Sequence, residues 1–431
     1  MAEANSSKGS QKAQNLDEIP EGGLNDLMKV IRPVLEKYTR FRLYHLLKLI
    51  PQFLRYAFWS WVGQIVWGLK ATRKIVDNGI KSLEIMFPEK SPKEILQISK
   101  NAWRVLGYGF FSELLVELPT WNEKNVDKHV KFIGLEHLEN ALKRGKGVII
   151  ASTHVGLLPT MYIALALKGY KTNIIANVRV SGPLVAIRPI KGIRGIPTGS
   201  LDKLKPKLEY VLKNNELLYI FADFSQKKQM GIKFMGLLGH TPAGIPPLAK
   251  ETGAAIIPAF TYPIALGKYA IRFLPEYKLV DFEDKKEFLG YNMLQLNNMM
   301  TWLIRKVPHL YFEYISYDML KLYRREIKVI DADSRKVAMS LLDLARQVVY
   351  TTYEKNRKDK QYYEIFDKIQ ADLQAIPNSE ISEKRFNVTF EVGPTRVRDS
   401  IIKIMRKAMD LHLDISVQRV LQKGLQEIVL L

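Results

Sequence analysis

Between residues 143 and 325 the chain alternates short apolar runs with helix-length segments. The runs are GVIIAST (147–153), TNIIANV (172–178), LLYIFAD (217–223), AAIIPAF (254–260) and YAIRFL (269–274). Each is only six or seven residues long and mainly apolar. Helix-length segments lie between several of them. The sequence therefore predicts an α/β fold, with a central, mainly parallel sheet flanked by helices. Ligands in such sheets bind beyond the carboxyl ends of the strands.

The flanking regions read differently. Residues 1–25 are small and polar and read as a flexible tail without an apolar signal-peptide stretch. Residues 26–75 are basic and aromatic, and residues 76–142 read as helices, the first part of an α/β domain spanning 76–325. Within them, 91–118 has apolar residues at helical spacing, Ser91 as N-cap, Pro92 at the first position and Glu94 three residues after the cap. Residues 326–431 form a helical C-terminal extension. Its amphipathic stretch 334–376 is followed by a break at PNSE (377–380) and a strand-like run, FNVTFEV (386–392).

Charge narrows the range of partners. Among 431 residues, 65 Lys and Arg against 44 Asp and Glu leave a net charge of +21, and there is no cysteine. Disulfides, cysteine-ligated metals and cysteine nucleophiles are thereby excluded. The 7 histidines are scattered without ligand spacing, so no metal or other cofactor is expected. Nucleic acid is not expected either, because none of its recognition motifs is present. Residues 26–74 hold ten Lys or Arg and two acids, and LLKLIPQFLRYAFWSWVGQIVWGL (46–69) within them carries three Trp, at 59, 61 and 67. A membrane span needs about 20 predominantly apolar residues, and Lys48, Pro51, Gln52 and Arg55 interrupt this one. An aromatic face beside basic residues suits a helix lying in the interface of an anionic leaflet, as a peripheral or monotopic protein. A re-entrant segment, a true span and a buried helix pair are the alternatives.

The segment GLEHLENALKRGKGVIIASTHVGLLPT (134–160) carries the candidate chemistry. A helix (135–143) and a basic turn lead into a buried strand that delivers His154 to its carboxyl end, with Gly156 just beyond. An imidazole with an ordinary pKa of about 6.5 is suited to general-base work. Asn140 to Leu201 contains no acid but nine basic residues, among them Arg179, Arg188 and Arg194. These three are the candidates for holding phosphate on a lipid headgroup or a coenzyme A or phosphopantetheine arm. Asp223, at the end of another predicted strand, is the one acid placed to reach His154. Backbone groups around Gly244, in the loop before a helix (247–252), are candidates for the donor site.

The blocks together resemble the lipid A biosynthesis acyltransferases and the phosphatidylinositol mannoside acyltransferases, within the wider lysophospholipid acyltransferase superfamily. GLEHLENALKRGKGVIIASTHVG resembles their signature region, and further blocks follow in order across roughly residues 75–320. LEIMFPEKS (83–91), Arg179 with GPL (182–184), FAD (221–223), FMG (234–236), LAKETGA (248–254) and IRKVPHLYF (304–312) are among them. The resemblance implies a glycerolipid acyltransferase-like fold on the cytosolic face of the cytoplasmic membrane. It implies an O-acyltransferase that moves a fatty acyl group from acyl-CoA or acyl-carrier protein to a hydroxyl of a phospholipid or glycolipid, with His154 as base. The family motif is His-x4-Asp/Glu, and Pro159 stands where its acid is expected. Two consequences are open. Asp223 supplies the carboxylate from the neighbouring strand, or the chain is a catalytically inactive, lipid-binding relative.

Overall fold

The computed structural model describes residues 37–38, 41–176, 191–197, 200–223, 231–316, 325–350, 352–353, 359–393 and 397–430. In chain order the N-terminal helices are α1 (Tyr44–Lys48), α2 (Gln52–Gly68), α3 (Arg73–Met86) and α4 (Pro92–Tyr108). Then come β1 (Val130–Ile133), α5 (Leu135–Leu142), β2 (Val148–Ser152), α6 (Pro159–Leu167), β3 (Thr172–Ala176), β4 (Ile193–Pro197), α7 (Leu201–Lys213) and β5 (Leu217–Phe221). A hairpin of β6 (Gly231–Phe234) and β7 (Leu237–His240) precedes α8 (Ile245–Thr252), β8 (Ala255–Ala265), β9 (Lys268–Phe273) and α9 (Lys285–Lys306). The C-terminal part holds β10 (Arg325–Ala332), α10 (Ser334–Tyr350), β11 (Thr352–Tyr353), α11 (Asp359–Ala375), β12 (Phe386–Val392), α12 (Val397–Met409) and α13 (Ile415–Leu430).

Seven strands form the central sheet in the order β1-β9-β8-β2-β5-β3-β4. The pairs β8–β2, β2–β5, β5–β3 and β3–β4 are parallel, while β8 and β9 form an antiparallel hairpin. The sheet is thus mainly parallel, as the apolar runs predict. Its two faces are covered separately. Ile149, Ala151, Leu218 and Ile256 enter one core with α3, α4, α7, α8 and α9, while Val148, Ile150, Leu217 and Ile257 enter the other with α5 and α6. Alternation along a strand sends successive side chains to opposite faces, which is why the sequence shows continuous rather than alternating apolar runs. Residues 329–428 build a third core of their own around α10, α11, α12 and α13, with β10 antiparallel to β12.

Two expectations need correction. Residues 76–142 are not all helical, because VKFI (130–133) is a strand at the sheet edge, paired with β9. Four residues are too few for a periodic signal. The helix predicted over 91–118 begins as expected, with Ser91 and Glu94 in a reciprocal capping box. It changes at Gly109 into a π-helix that runs to Glu117. The amphipathic stretch 334–376 holds the two helices α10 and α11.

α2 and α4 cross with backbone against backbone. A Cβ built at Gly107 would collide with the carbonyl oxygen of Trp59, and one at Gly63 with that of Trp103. Glycine here permits a close crossing that no side chain can share. Gly107→Ala is therefore expected to destabilise the fold by about 1–3 kcal/mol, as overpacking does. A chemical denaturation curve checks it.

Candidate active site

β2 is buried along its whole length, and its last residue is fixed from two sides. The Ser152 hydroxyl donates to the Ala259 carbonyl at 2.8 Å and accepts from the Tyr219 hydroxyl at 2.9 Å. Thr153 and His154 then leave the sheet at the carboxyl end of β2. The neighbouring strand β5 is in register, with Ser152 beside Phe221, so its continuation reaches the same height two residues later. That residue is Asp223, and it is fully buried.

Asp223 gathers three hydrogen bonds. One carboxylate oxygen, Oδ2, accepts from the Thr153 hydroxyl at 2.9 Å and from the His154 backbone N–H at 3.0 Å. The other, Oδ1, lies 2.8 Å from His154 Nδ1. The imidazole also stacks on Phe221 with ring centroids 4.1 Å apart. Burial opposes the charge on Asp223, but His154 above all, with the two Thr153 and His154 donors, keeps its carboxyl below the usual range. Burial likewise works against an imidazolium, yet the carboxylates of Asp223 and Glu313 outweigh it and raise His154 above its ordinary value. The pair is thus held ionic or shares one proton along a short, fixed contact.

His154 faces a cavity of about 380 Å³. Val105, Leu106, Phe110 and Leu114 line it from the α4 and π-helix side. Leu157, Leu158, Tyr162, Ile174, Phe221 and Tyr269 close it from the sheet and α6. Pro159 lines it as well. The π-helix thus contributes directly to the wall, as such helices often do at functional sites.

The loop after His154 turns at Gly156, whose φ of +76° suits glycine. A Cβ there would lie 2.7 Å from the Thr261 carbonyl. The Gly156 N–H donates to the Leu310 carbonyl at 2.8 Å, and Val155 bridges Tyr311. These contacts bring the segment 308–313 against the His154 loop and add Glu313 to the cavity wall. Glu313 is only 8% exposed, and burial raises its carboxyl to about 7. Sequence reasoning stopped one residue short of it, at Phe312. The signal was an acid inside an otherwise apolar stretch, LYFEYI.

The other candidates divide. Gly156 lines the cavity with His154. Gly244 does not; it is the exposed residue that starts α8. Arg179 and Arg188 lie outside the described residues. Arg194 sits near the start of β4, the sheet's edge strand, at the amino ends of the parallel strands. His154 lies beyond their carboxyl ends, so Arg194 cannot hold a substrate phosphate against it. It faces Glu216 instead, at 4.0 Å, with Lys171 at 3.4 Å from the same carboxylate. Sequence proximity grouped Arg194 with His154, and the parallel sheet sends it to the other end. Among the described residues no cluster of three or more His, Asp or Glu could hold a metal ion.

Residues 37–313 match the family described as bacterial lipid A biosynthesis acyltransferase. A lipid A biosynthesis acyltransferase of Haemophilus influenzae is 27% identical over 205 residues, covering 46% of this chain and 64% of that protein. A phosphatidylinositol mannoside acyltransferase of Mycobacterium tuberculosis is 25% identical over 189 residues, covering 38% of this chain and 59% of that protein. The matches thus span somewhat under two-thirds of these relatives' length. A solved structure, the 1-acyl-sn-glycerophosphate acyltransferase PlsC of Thermotoga maritima, overlaps 57% of this chain at 14% identity with a TM-score of 0.28, too distant to bear on the site. The family match takes in most of the chain, from the aromatic N-terminal helices through the His154 strand to Glu313, and the chain belongs to the bacterial lipid A biosynthesis acyltransferase family.

Proposed function

We propose that the protein is a membrane-associated O-acyltransferase, moving a fatty acyl group from a thioester, acyl-CoA or acyl-carrier protein, to a hydroxyl of a phospholipid or glycolipid. The observation that carries this reading is the His154–Asp223 pair at the polar end of a largely apolar cavity. With Nδ1 held by Asp223, Nε2 is the nitrogen that would take the acceptor's proton. The acceptor oxygen attacks the thioester carbonyl, and the C–O bond forms. The tetrahedral adduct then collapses, the C–S bond breaks, and the thiolate recovers the proton from the imidazolium. Asp223 would fix the ring and offset its charge. Catalysis is favoured over lipid binding alone by this carboxylate, which stands where the acid expected at Pro159 would be needed.

Membrane attachment rests on the N-terminal helices. α2 leaves Leu54, Phe58, Trp61 and Ile65 exposed along one stripe, while its opposite side, with Tyr56 and Gly63, is buried. Leu46 and Leu49 of the α1 region continue it. The β8–β9 turn carries Ile264 and Leu266, both about half exposed, and its Gly267 lies against Gln52 at the start of α2. Among the described residues no helix is long and apolar enough to cross a membrane. We therefore assign a peripheral or monotopic position with the stripe in the bilayer interface, on the cytosolic face where thioester donors are made. Trp61→Ser is expected to weaken binding to anionic vesicles about tenfold or more, the effect of leaving one large apolar side chain unburied. Sedimentation with vesicles checks it.

The function is tested by incubating the purified protein with radiolabelled acyl-CoA or acyl-carrier protein and total lipid extract. Labelled lipid is the expected result and names the acceptor class. Absence of labelled lipid with both donors, with vesicle binding intact, would contradict the reading.

A further inference from the structure

Asp223 leaves little for another acid to do in holding His154. Its two oxygens already take the Thr153 hydroxyl, the His154 N–H and His154 Nδ1. Glu313 nevertheless lines the same cavity as His154 and is more than nine-tenths buried. Among the described residues its Oε2 has no hydrogen-bond partner. A buried carboxyl left so costs free energy unless something else meets it. It is also held in place from outside. The Gly156–Leu310 hydrogen bond and the Val155–Tyr311 bridge fix the backbone just before it to the His154 loop. Apart from His154, Glu313 and tyrosine hydroxyls, the side chains lining the cavity are apolar. A substrate's polar end therefore meets, besides the base, a carboxylate oxygen free to accept a hydrogen bond.

We propose that Glu313 binds the acceptor, its carboxyl accepting a hydrogen bond from a hydroxyl next to the one that His154 deprotonates. The site then selects acceptors with neighbouring hydroxyls, the chemistry of a sugar or polyol headgroup, over acceptors with a single hydroxyl. This rests on the acyltransferase reading and names the acceptor that its site prefers. Ionised or protonated, the carboxyl keeps an oxygen able to accept, so recognition does not depend on which form is present. A polar site built for a hydroxyl discriminates strongly against an analogue that leaves its groups unpaired.

The experiment compares two acceptors of equal chain length, 1-O-hexadecylglycerol, with adjacent hydroxyls, and 2-hexadecyloxyethanol, with one. Each is offered to wild type, Glu313→Leu and Glu313→Gln, with total lipid extract labelled in parallel. Wild type is expected to favour the diol in kcat/KM by about 10- to 100-fold, the worth of one hydrogen bond to a charged group. Glu313→Leu is expected to lose that preference, its kcat/KM falling more on the diol than on the single alcohol. Glu313→Gln, whose amide oxygen still accepts, is expected to retain most of it. Equal use of both acceptors by wild type, or an equal loss on both in a folded Glu313→Leu, would overturn the proposal while leaving the acyltransferase reading intact. So would labelling of the extract with neither test acceptor used. No label in any lipid would instead remove the acyltransferase reading itself.

Discussion

Asp223→Asn is expected to lower kcat for acyl transfer by about 10²- to 10⁴-fold, the range that general-base catalysis contributes. Asn keeps the volume of Asp and offers one acceptor oxygen where Asp offers two. It cannot take Thr153 and His154 N–H on one side and His154 Nδ1–H on the other. If its amide nitrogen turns toward Nδ1, the ring adopts the tautomer that carries its proton on the cavity side, and the base is lost. If it turns away, two donors of the strand end lose their partner. Binding of the lipid chain depends on the apolar wall instead, so KM is expected to change little. His154→Ala removes the base itself, and transfer is expected to fall to background. Steady-state kinetics on both variants, with melting curves to confirm folding, checks this.

The largest effect on stability is expected at the N-terminal helices. Arg55 and Glu117 are each about 5% exposed and form an ion pair at 2.5 Å, with Arg55 Nε also donating to the Ile50 carbonyl. Glu113, one turn earlier in the π-helix, is fully buried, and its burial followed by the charge of Glu117 raises its carboxyl to about 8. Arg55→Met would leave Glu117 buried with a second carboxyl as its neighbour and without its guanidinium partner. Breaking a buried pair from one side costs about 3–5 kcal/mol, whereas replacing both members with apolar residues is often neutral. Arg55→Met is thus expected to lose that amount, and Arg55→Met with Glu117→Leu to recover most of it. Denaturant titration of both variants measures the difference.

Much of the site is legible in the sequence because its parts sit at strand ends. An apolar run followed by Thr153 and His154 fixes where the strand stops. A second run followed by Asp223 fixes the neighbour, and parallel register brings the two ends level. What a linear reading cannot supply is the end of the sheet on which a residue falls. Arg194 is close to His154 in sequence and rides on a parallel strand, yet it enters the sheet where His154 leaves it. Glu313 was missed for the converse reason. It reaches the cavity only because a distant segment crosses the His154 loop, a contact of high sequence separation. The change from α to π geometry at Gly109 escaped because the apolar spacing of the stretch fits either helix.

The pH dependence of kcat/KM, compared between wild type and Asp223→Asn, probes the working of the His154–Asp223 pair most directly. His154 must be neutral to take a proton, so activity rises with pH as the imidazolium is lost. The Asp223 carboxylate, with Glu313, stabilises that imidazolium and raises its pKa. The acid limb of wild type is therefore expected above the ordinary histidine value of about 6.5. In Asp223→Asn the imidazolium loses its nearest anion, and the limb is expected to move to lower pH by about one unit or more, the scale of a lost neighbouring charge. A limb at the same pH in both proteins would mean that Asp223 does not touch the working base, and would contradict the assignment.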